Sequence, residues 1–317
     1  MPDPFPAPRI VFMGTPEFAV PSLRALVDAG YAVVGVITAT DKRGGRGGKQ
    51  LLQSPVKQAA EALGLPVLQP KNLKAADFLE ALTALQADLQ IVVAFRMLPT
   101  VVWDMPTLGT FNLHGSLLPR YRGAAPINWA VINGETETGA TTFFIQEQID
   151  TGDVLLQHRM PIGENETAGE VHDRMMVQGA ELVLATVRLI EGGDYTLRQQ
   201  DDTAATPAPK LDRELCRIDW DQPARRVHNF IRGLSPWPAA WTTLDRQQLK
   251  IIRTEVASTG QATVAGTVGV EDGSLQVACS NGNVRVLELQ LAGRKRMAVS
   301  DFLRGGHLGA GVVLGQG

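Results

Sequence analysis

Along the first half of the chain, apolar runs of strand length alternate with longer stretches whose apolar residues recur at helical spacing. A mostly parallel sheet covered on both faces produces that alternation, because each parallel crossover needs a helix. The runs predict strands at Arg9–Met13, Ala32–Thr38, Val67–Leu68 (a short one) and Ile91–Phe95, with helices at Pro21–Asp28, Ser54–Leu63 and Ala75–Leu85 between them. Gly109 can take the backbone angles of a tight turn and leads into a fifth strand, Thr110–His114. Thr141–Ile149 and Val154–Met160 flank Thr151-Gly152-Asp153 and read as a hairpin, and Ala168–Ile190 has the length and spacing of one long helix.

From Gly192 to Pro209 the pattern fails in a run of Gly, Gln, Asp, Thr and Ala closed by Pro207 and Pro209, which reads as a linker. Beyond it, Pro223–Leu234 predicts a helix and Ser235-Pro236-Trp237-Pro238 a turn. The short alternating runs Gln248–Arg253, Val264–Val270, Leu275–Ala278 and Val284–Leu291, separated by Gly-rich turns, predict a small barrel. The expected division is therefore an α/β domain at 1–191, a linker at 192–209 and a C-terminal β-barrel domain at 210–317.

The composition fits this division. Apolar residues make up 44% and charged residues 20%, which excludes a disordered chain, a collagen-like repeat or a coiled coil. Apolar stretches such as Ile91–Phe95 fall far short of the roughly 18 residues a membrane span needs. Met1–Arg9 lacks a cationic start leading into an apolar run, so no secretory leader is expected. The 2 cysteines, Cys216 and Cys279, make no disulfide framework, which suits the cytoplasm. Net charge is -3, but residues 1–209 carry 16 Lys/Arg against 23 Asp/Glu while 210–317 carry 14 against 10. That asymmetry hints at an acidic partner for the C-terminal part and fits an ordinary solvated surface equally well.

Phe12-Met13-Gly14-Thr15-Pro16-Glu17 follows a strand and precedes a helix, but one glycine stands where a dinucleotide loop needs three, so NAD or FAD binding is rejected. A phosphate-cradling Walker sequence is absent too. The informative stretch runs from Phe111 to Gly123. Strand alternation puts Asn112 and His114 on one face at a strand's carboxyl end, where ligands bind in such folds, and Gly115 then lets the backbone turn sharply. Asp150, at the end of the Thr141 strand, is a carboxylate that could serve the pair, while Asp153 suits a turn; spacing separates the two only weakly. Asn, His and Asp without a Ser or Cys nucleophile or a metal cluster fit direct acyl transfer to an amine. Asn112 and His114 would donate to the oxyanion, with Asp150 orienting His114 or relaying the amine's proton.

These residues carry a resemblance. Asn112 through Ile127 and Ile149-Asp150-Thr151-Gly152-Asp153 resemble the signature of the 10-formyltetrahydrofolate-dependent formyltransferases, and the likeness extends to Phe12–Phe18, Asp41–Lys57 and Leu289–Lys295. It implies a Rossmann-like formyltransferase domain with a mostly parallel sheet, plus a small C-terminal OB-like β-barrel that helps hold tRNA. It also implies that Asn112, His114 and Asp150 are catalytic and that Ser116, Leu117, Leu118 and Pro119, with Val92 and Ala94, bind the folate. One departure is that Phe95-Arg96 stands where the family usually has Tyr-Gly, which bears on the pterin contacts.

The likeness is most specific to members that formylate methionyl initiator tRNA for translation initiation, although relatives that act on an amino sugar nucleotide share the Asn-x-His-Gly-Ser-Leu-Leu-Pro core. Lys42, Arg43, Arg46 and Lys49, set among glycines, make a basic arm suited to a phosphate backbone, and Arg294 and Lys295 are a weaker form of that signal. A formyl-transferring enzyme for a small amine and a non-catalytic RNA-binding protein are the rival readings. His158, His172, His228 and His307 share no ligand spacing, so no metal is expected. Arg120 and Arg122 could meet an anion or be a surface pair, Trp237 and Trp241 are expected in packing, and a monomer is the default.

Overall fold

The computed structural model of the chain describes residues 7–44, 50–257, 263–271, 273–306, 308 and 311–316. In chain order the first half forms β1 (Ile10–Gly14), α1 (Val20–Asp28), β2 (Val33–Ile37), β3 (Lys42–Gly44), β4 (Gln50–Leu52), α2 (Pro55–Ala62), β5 (Val67–Leu68), α3 (Ala76–Ala84), β6 (Leu89–Val93), α4 (Thr100–Trp103) and β7 (Thr110–His114). There follow β8 (Arg122–Gly123), α5 (Pro126–Ile132), β9 (Glu137–Phe144), β10 (Val154–Pro161), α6 (Ala168–Gly192) and β11 (Pro207–Ala208). The chain ends with α7 (Ala224–Gly233), β12 (Ala240–Leu244), β13 (Gln247–Ala257), β14 (Val268–Glu271), β15 (Ser274–Cys279), β16 (Gly282–Leu291), β17 (Met297–Ala298) and α8 (Val299–Arg304).

Two compact units result. One holds the chain up to Gly123 together with Gly139–Met160 and His172–Pro207; the other holds Ala124–Thr138, Pro161–Val171 and the chain from Ala208 onward. Residues 124–138 and 161–171 thus group with the C-terminal residues rather than with the rest of 1–191.

The first unit is built on a seven-stranded sheet in the order β10-β9-β7-β6-β1-β2-β5. Strands β5, β2, β1, β6 and β7 run parallel, and β9 pairs antiparallel with β7. The chain moves outward from β1 to β2 and β5, then returns to β6 on the other side. The carboxyl ends of β1, β6 and β7 therefore meet at the point where the order reverses, which is where such sheets form a ligand crevice. All five residues of β1 are buried, as a central parallel strand covered on both faces should be. Gly14 ends that strand because nothing larger fits: a Cβ there would lie 2.7 Å from the Ala19 Cβ and 3.0 Å from the Val93 carbonyl oxygen. Helix α2 starts where expected, with Ser54 Oγ accepting from the Lys57 N–H at 3.0 Å and Pro55 in the first turn.

Some bounds shift for physical reasons. Strand β6 begins at Leu89 and ends at Val93, two residues earlier than the apolar run suggests. Gln90 is polar yet fully buried within the sheet, and Ala94 leaves the extended region at φ 48°. The hairpin strand β9 starts earlier and ends at Phe144.

In the second unit a six-stranded antiparallel sheet follows the path β12-β13-β16-β15-β14, with β17 on β16. The last residues close it. Val312 O accepts from the Val268 N–H at 2.9 Å, and Gly315 N donates to Thr243 O at 2.9 Å, so one segment joins β14 to β12. Side chains from α7 and α8, including Val227, Ile231 and Phe302, fill the apolar core of this barrel. Trp241 lies in that core, whereas Trp237, between two prolines, is 79% exposed, contrary to the expectation of packing.

His228 is buried in this unit, with Nε2 donating to Glu164 O at 3.3 Å. Its Nδ1 then accepts from the Thr254 hydroxyl at 3.0 Å in the neutral form. Burial above all, opposed by the Glu164 carbonyl and reinforced by the Arg232 charge, holds the imidazole below its ordinary value. The folded state prefers the neutral ring, so as pH falls the unfolded chain takes the proton first. The stability His228 contributes is full above roughly pH 6.5 and is lost as pH falls toward the folded value. The stability of the wild type to urea should fall as pH drops below about 7, and His228→Asn should remove part of that slope; an unchanged slope would refute this role for His228.

Candidate functional site

Strand β7 carries the pair. Asn112 pairs with Val92 of β6 on one side and Phe143 of β9 on the other, and His114 pairs with Thr141. Two residues apart on one strand, they share a face, as the alternation predicts. His114 is buried, and its Nε2 lies 2.8 Å from the Tyr121 carbonyl oxygen. A carbonyl can only accept, so Nε2 carries the hydrogen. Nδ1 is then the nitrogen available for chemistry, and it lies 3.7 Å from Asp150 Oδ2. The ring meets Phe143 edge-on, with centroids 6.5 Å apart, which restrains its plane.

Asp150 arrives from the β9–β10 connection at φ 56°, a left-handed conformation that costs a non-glycine residue about 1 kcal/mol or more and that Asp tolerates better than most. Its Oδ2 accepts the Gly123 N–H at 2.8 Å. Two residues on, Gly152 is required: a Cβ there would sit 1.7 Å from the Phe144 carbonyl oxygen. Of the two carboxylates that spacing separates only weakly, the structure brings Asp150 to His114.

The loop after His114 is held from beneath by Thr141. Its hydroxyl donates to Ser116 O at 2.6 Å and accepts from the Leu118 N–H at 3.1 Å and from Gln157 Nε2 at 3.0 Å, which uses its full capacity. Ser116 is fully buried and its hydroxyl donates to Arg120 O at 2.6 Å. Leu117 and Pro119 are half-buried, and Leu118 is buried. Val92 belongs to an apolar cluster with Val11, Met13 and Val102, while Ala94 is exposed at the end of β6. Next to it, the Arg96 guanidinium donates to Lys71 O at 3.0 Å and to Pro70 O, and lies over the Phe95 ring. The unusual Arg96 thus ties this loop to the chain after β5.

Of the basic residues, Lys42 and Arg43 are exposed on β3, which pairs antiparallel with β4. Arg46 and Lys49 lie outside the described residues. The base of this hairpin is anchored: Lys57 Nζ is 2.5 Å from Asp41 Oδ2, and Gln69 Nε2 donates to Asp41 Oδ1 at 2.7 Å. Both bonds hold the Asp41 carboxyl below the usual carboxylate range, and Asp41 raises Lys57 in turn. Arg294 and Lys295 are exposed in the turn after β16, and Arg296 pairs with Glu288. Arg122, a candidate anion contact, is instead hydrogen-bonded to Gln200 and Asp202, and Arg120 stands over the Tyr121 ring.

Sequence reasoning missed Gln200, Thr141, Thr206 and the carbonyl of Tyr121. Thr206 Oγ1 accepts the Tyr121 N–H at 2.9 Å and its carbonyl accepts the Arg122 N–H at 2.9 Å. Nothing in a polar tract after a long helix marks such contacts. Among the described residues, no group of three His, Cys, Asp or Glu could hold a metal ion, and no helix is long and apolar enough to cross a membrane.

Chemically, the arrangement offers a half-buried amide, an imidazole with one nitrogen open and a carboxylate behind it. The Asn112 side-chain amide makes no hydrogen bond to another described residue. Residues 8–187 match the family described as Formyl transferase, and residues 210–307 match Formyl transferase, C-terminal domain. The chain is 54% identical over 308 residues to a methionyl-tRNA formyltransferase of Parabacteroides distasonis, covering 94% of this chain and 95% of that one. It is likewise 54% identical over 311 residues to one from Bacteroides fragilis, covering 95% of each. Among solved structures, an N-formyltransferase from Helicobacter canadensis in complex with folinic acid and dTDP-3-aminofucose shares the fold, with a TM-score of 0.66 at 18% identity over 88% of this chain and 98% of that one.

Proposed function

The chain belongs to the formyl transferase family, and from that premise we propose that it transfers the formyl group of 10-formyltetrahydrofolate to the α-amino group of methionyl initiator tRNA. The product is N-formylmethionyl-tRNA for translation initiation. The observation that carries this reading is 54% identity, over nearly the whole chain, to relatives named for that activity. The protein works in the cytoplasm as a monomer, with 1–191 catalysing the transfer and 210–317 helping to hold the tRNA.

Asn112, His114 and Asp150 are the catalytic residues. The half-buried Asn112 amide, with no partner among the described residues, fits a formyl donor, and Leu117, Pro119 and Ala94, backed by the buried Ser116, Leu118 and Val92, form the wall that holds the folate. Bound 10-formyltetrahydrofolate supplies an activated formyl carbon. Asn112 donates a hydrogen bond to the formyl oxygen as negative charge grows there. His114 Nδ1 takes the proton released by the attacking amine, and once protonated its N–H returns that proton to the leaving nitrogen, so the count balances. Asp150, 3.7 Å from Nδ1, keeps the ring in place and balances its transient charge.

Mass analysis of the methionine after incubation with both substrates tests the reaction: a formyl group is expected, and unmodified methionine would refute it. Lys42, Arg43, Arg46, Lys49, Arg294 and Lys295 contact the tRNA backbone. A Lys42→Ala/Arg43→Ala variant should bind tRNA more weakly and lower the slope of log affinity against log salt by about 1.5, with little change in turnover at saturation. A salt titration that leaves the slope unchanged would remove the β3 residues from the interface.

A further inference from the structure

The stretch that reads as a linker is bonded into the site. Val154 and Arg198 exchange backbone hydrogen bonds at 2.9 and 3.1 Å, and Thr206 holds Tyr121 and Arg122. Between these attachments lies Gln200, which is buried. Its Nε2 donates to Asp150 O at 2.9 Å and to Gly152 O at 2.8 Å. Its Oε1 accepts Arg122 Nη2 at 2.8 Å and Arg122 Nε at 3.1 Å. A guanidinium only donates and a carbonyl only accepts, so this orientation of the amide is the one chemistry allows, and all four contacts are satisfied together. Arg122 is fixed in turn by Asp202 at 2.7 Å.

The placement matters because Asp150 sits in a left-handed turn, and a turn of that kind persists where its surroundings over-determine it. Gln200 grips the carbonyls on both sides of Thr151, and the Gly123 N–H takes the Asp150 carboxylate. The same polar stretch thus fixes the acid behind His114 and, through Thr206 and Tyr121, the acceptor for the other ring nitrogen.

We propose that Gln200 is a positioning residue for formyl transfer, holding the Asp150 turn so that its carboxylate faces His114, with Arg122 as the brace that holds Gln200. This rests on the catalytic roles proposed above. Gln200→Glu is nearly isosteric and keeps the Arg122 contact, but it turns an oxygen toward two carbonyls and loses both donors.

In the full chain, Gln200→Glu should lower kcat roughly 30- to 100-fold, the scale of a small misplacement, while KM for tRNA and for folate stays within about threefold. In an Asp150→Asn background the same change should cost less than about threefold, because the group it positions is already disabled. Should Gln200→Glu fail to fold by circular dichroism, Arg122→Gln leaves the donors of Gln200 in place and should show the same pattern with a kcat loss of roughly three- to tenfold. A kcat within about threefold of wild type would overturn the proposal, and so would a loss that multiplies in full with Asp150→Asn, the mark of an independent structural effect. Full turnover by Asp150→Asn alone would overturn the catalytic reading together with it, so the two failures are distinguishable.

Discussion

Replacing His114 with alanine lowers turnover at least about a hundredfold while the protein stays folded. A positioned general acid–base group typically contributes about 10²- to 10⁴-fold in rate, and the alanine variant loses proton transfer through Nδ1 altogether. On the stability side, the change removes one hydrogen bond to the Tyr121 carbonyl, worth about 1 kcal/mol net, and the ring's contact with Phe143. Both losses are smaller than the stability of an ordinary domain. Steady-state kinetics on a variant with an unchanged circular-dichroism spectrum decides the matter. Near-normal turnover in that folded variant would remove His114 from the mechanism.

The second large effect separates charge from shape. Asp150→Asn keeps an oxygen that can accept the Gly123 N–H, so the turn survives, but the negative charge 3.7 Å from Nδ1 is gone. With nothing to balance the imidazolium, kcat should fall roughly a hundredfold at nearly unchanged KM, in the range of a lost acid–base partner. Asp153→Asn serves as the control, because that residue is placed in the turn and not against His114; it should retain most of the turnover. If Asp153→Asn were the crippled variant and Asp150→Asn the active one, the carboxylate assignment would be reversed.

Much of the candidate site is legible in the sequence because it rests on local rules. Strand alternation alone put Asn112 and His114 on one face at a carboxyl end, and the order of runs implied a mostly parallel sheet covered on both faces. Other features escaped for identifiable reasons. Gln90, the second residue of β6, is polar yet buried, so hydropathy placed the strand too late. Helix α5 has seven residues, too few for a 3.6-residue period to declare itself. Trp237 was expected in packing, yet between its two prolines it stands exposed. Gln200 and Thr206 belong to a tract whose composition says linker, and their contacts with residues about 50 and 85 positions away exist only after the sheet has formed. The choice of Asp150 over Asp153 also needed the fold, since three residues of a turn can aim either carboxylate inward.

Reaction and acceptor together are tested most directly by competition. The purified chain is given 10-formyltetrahydrofolate with both methionyl initiator tRNA and an amino sugar nucleotide, and each acceptor is weighed by mass spectrometry. Formyl is expected on the methionine of the tRNA and none on the sugar. Formyl on the sugar alone would keep the proposed roles of Asn112, His114 and Asp150 and contradict the RNA acceptor, and formyl on neither, with tRNA still bound, would contradict the reaction itself.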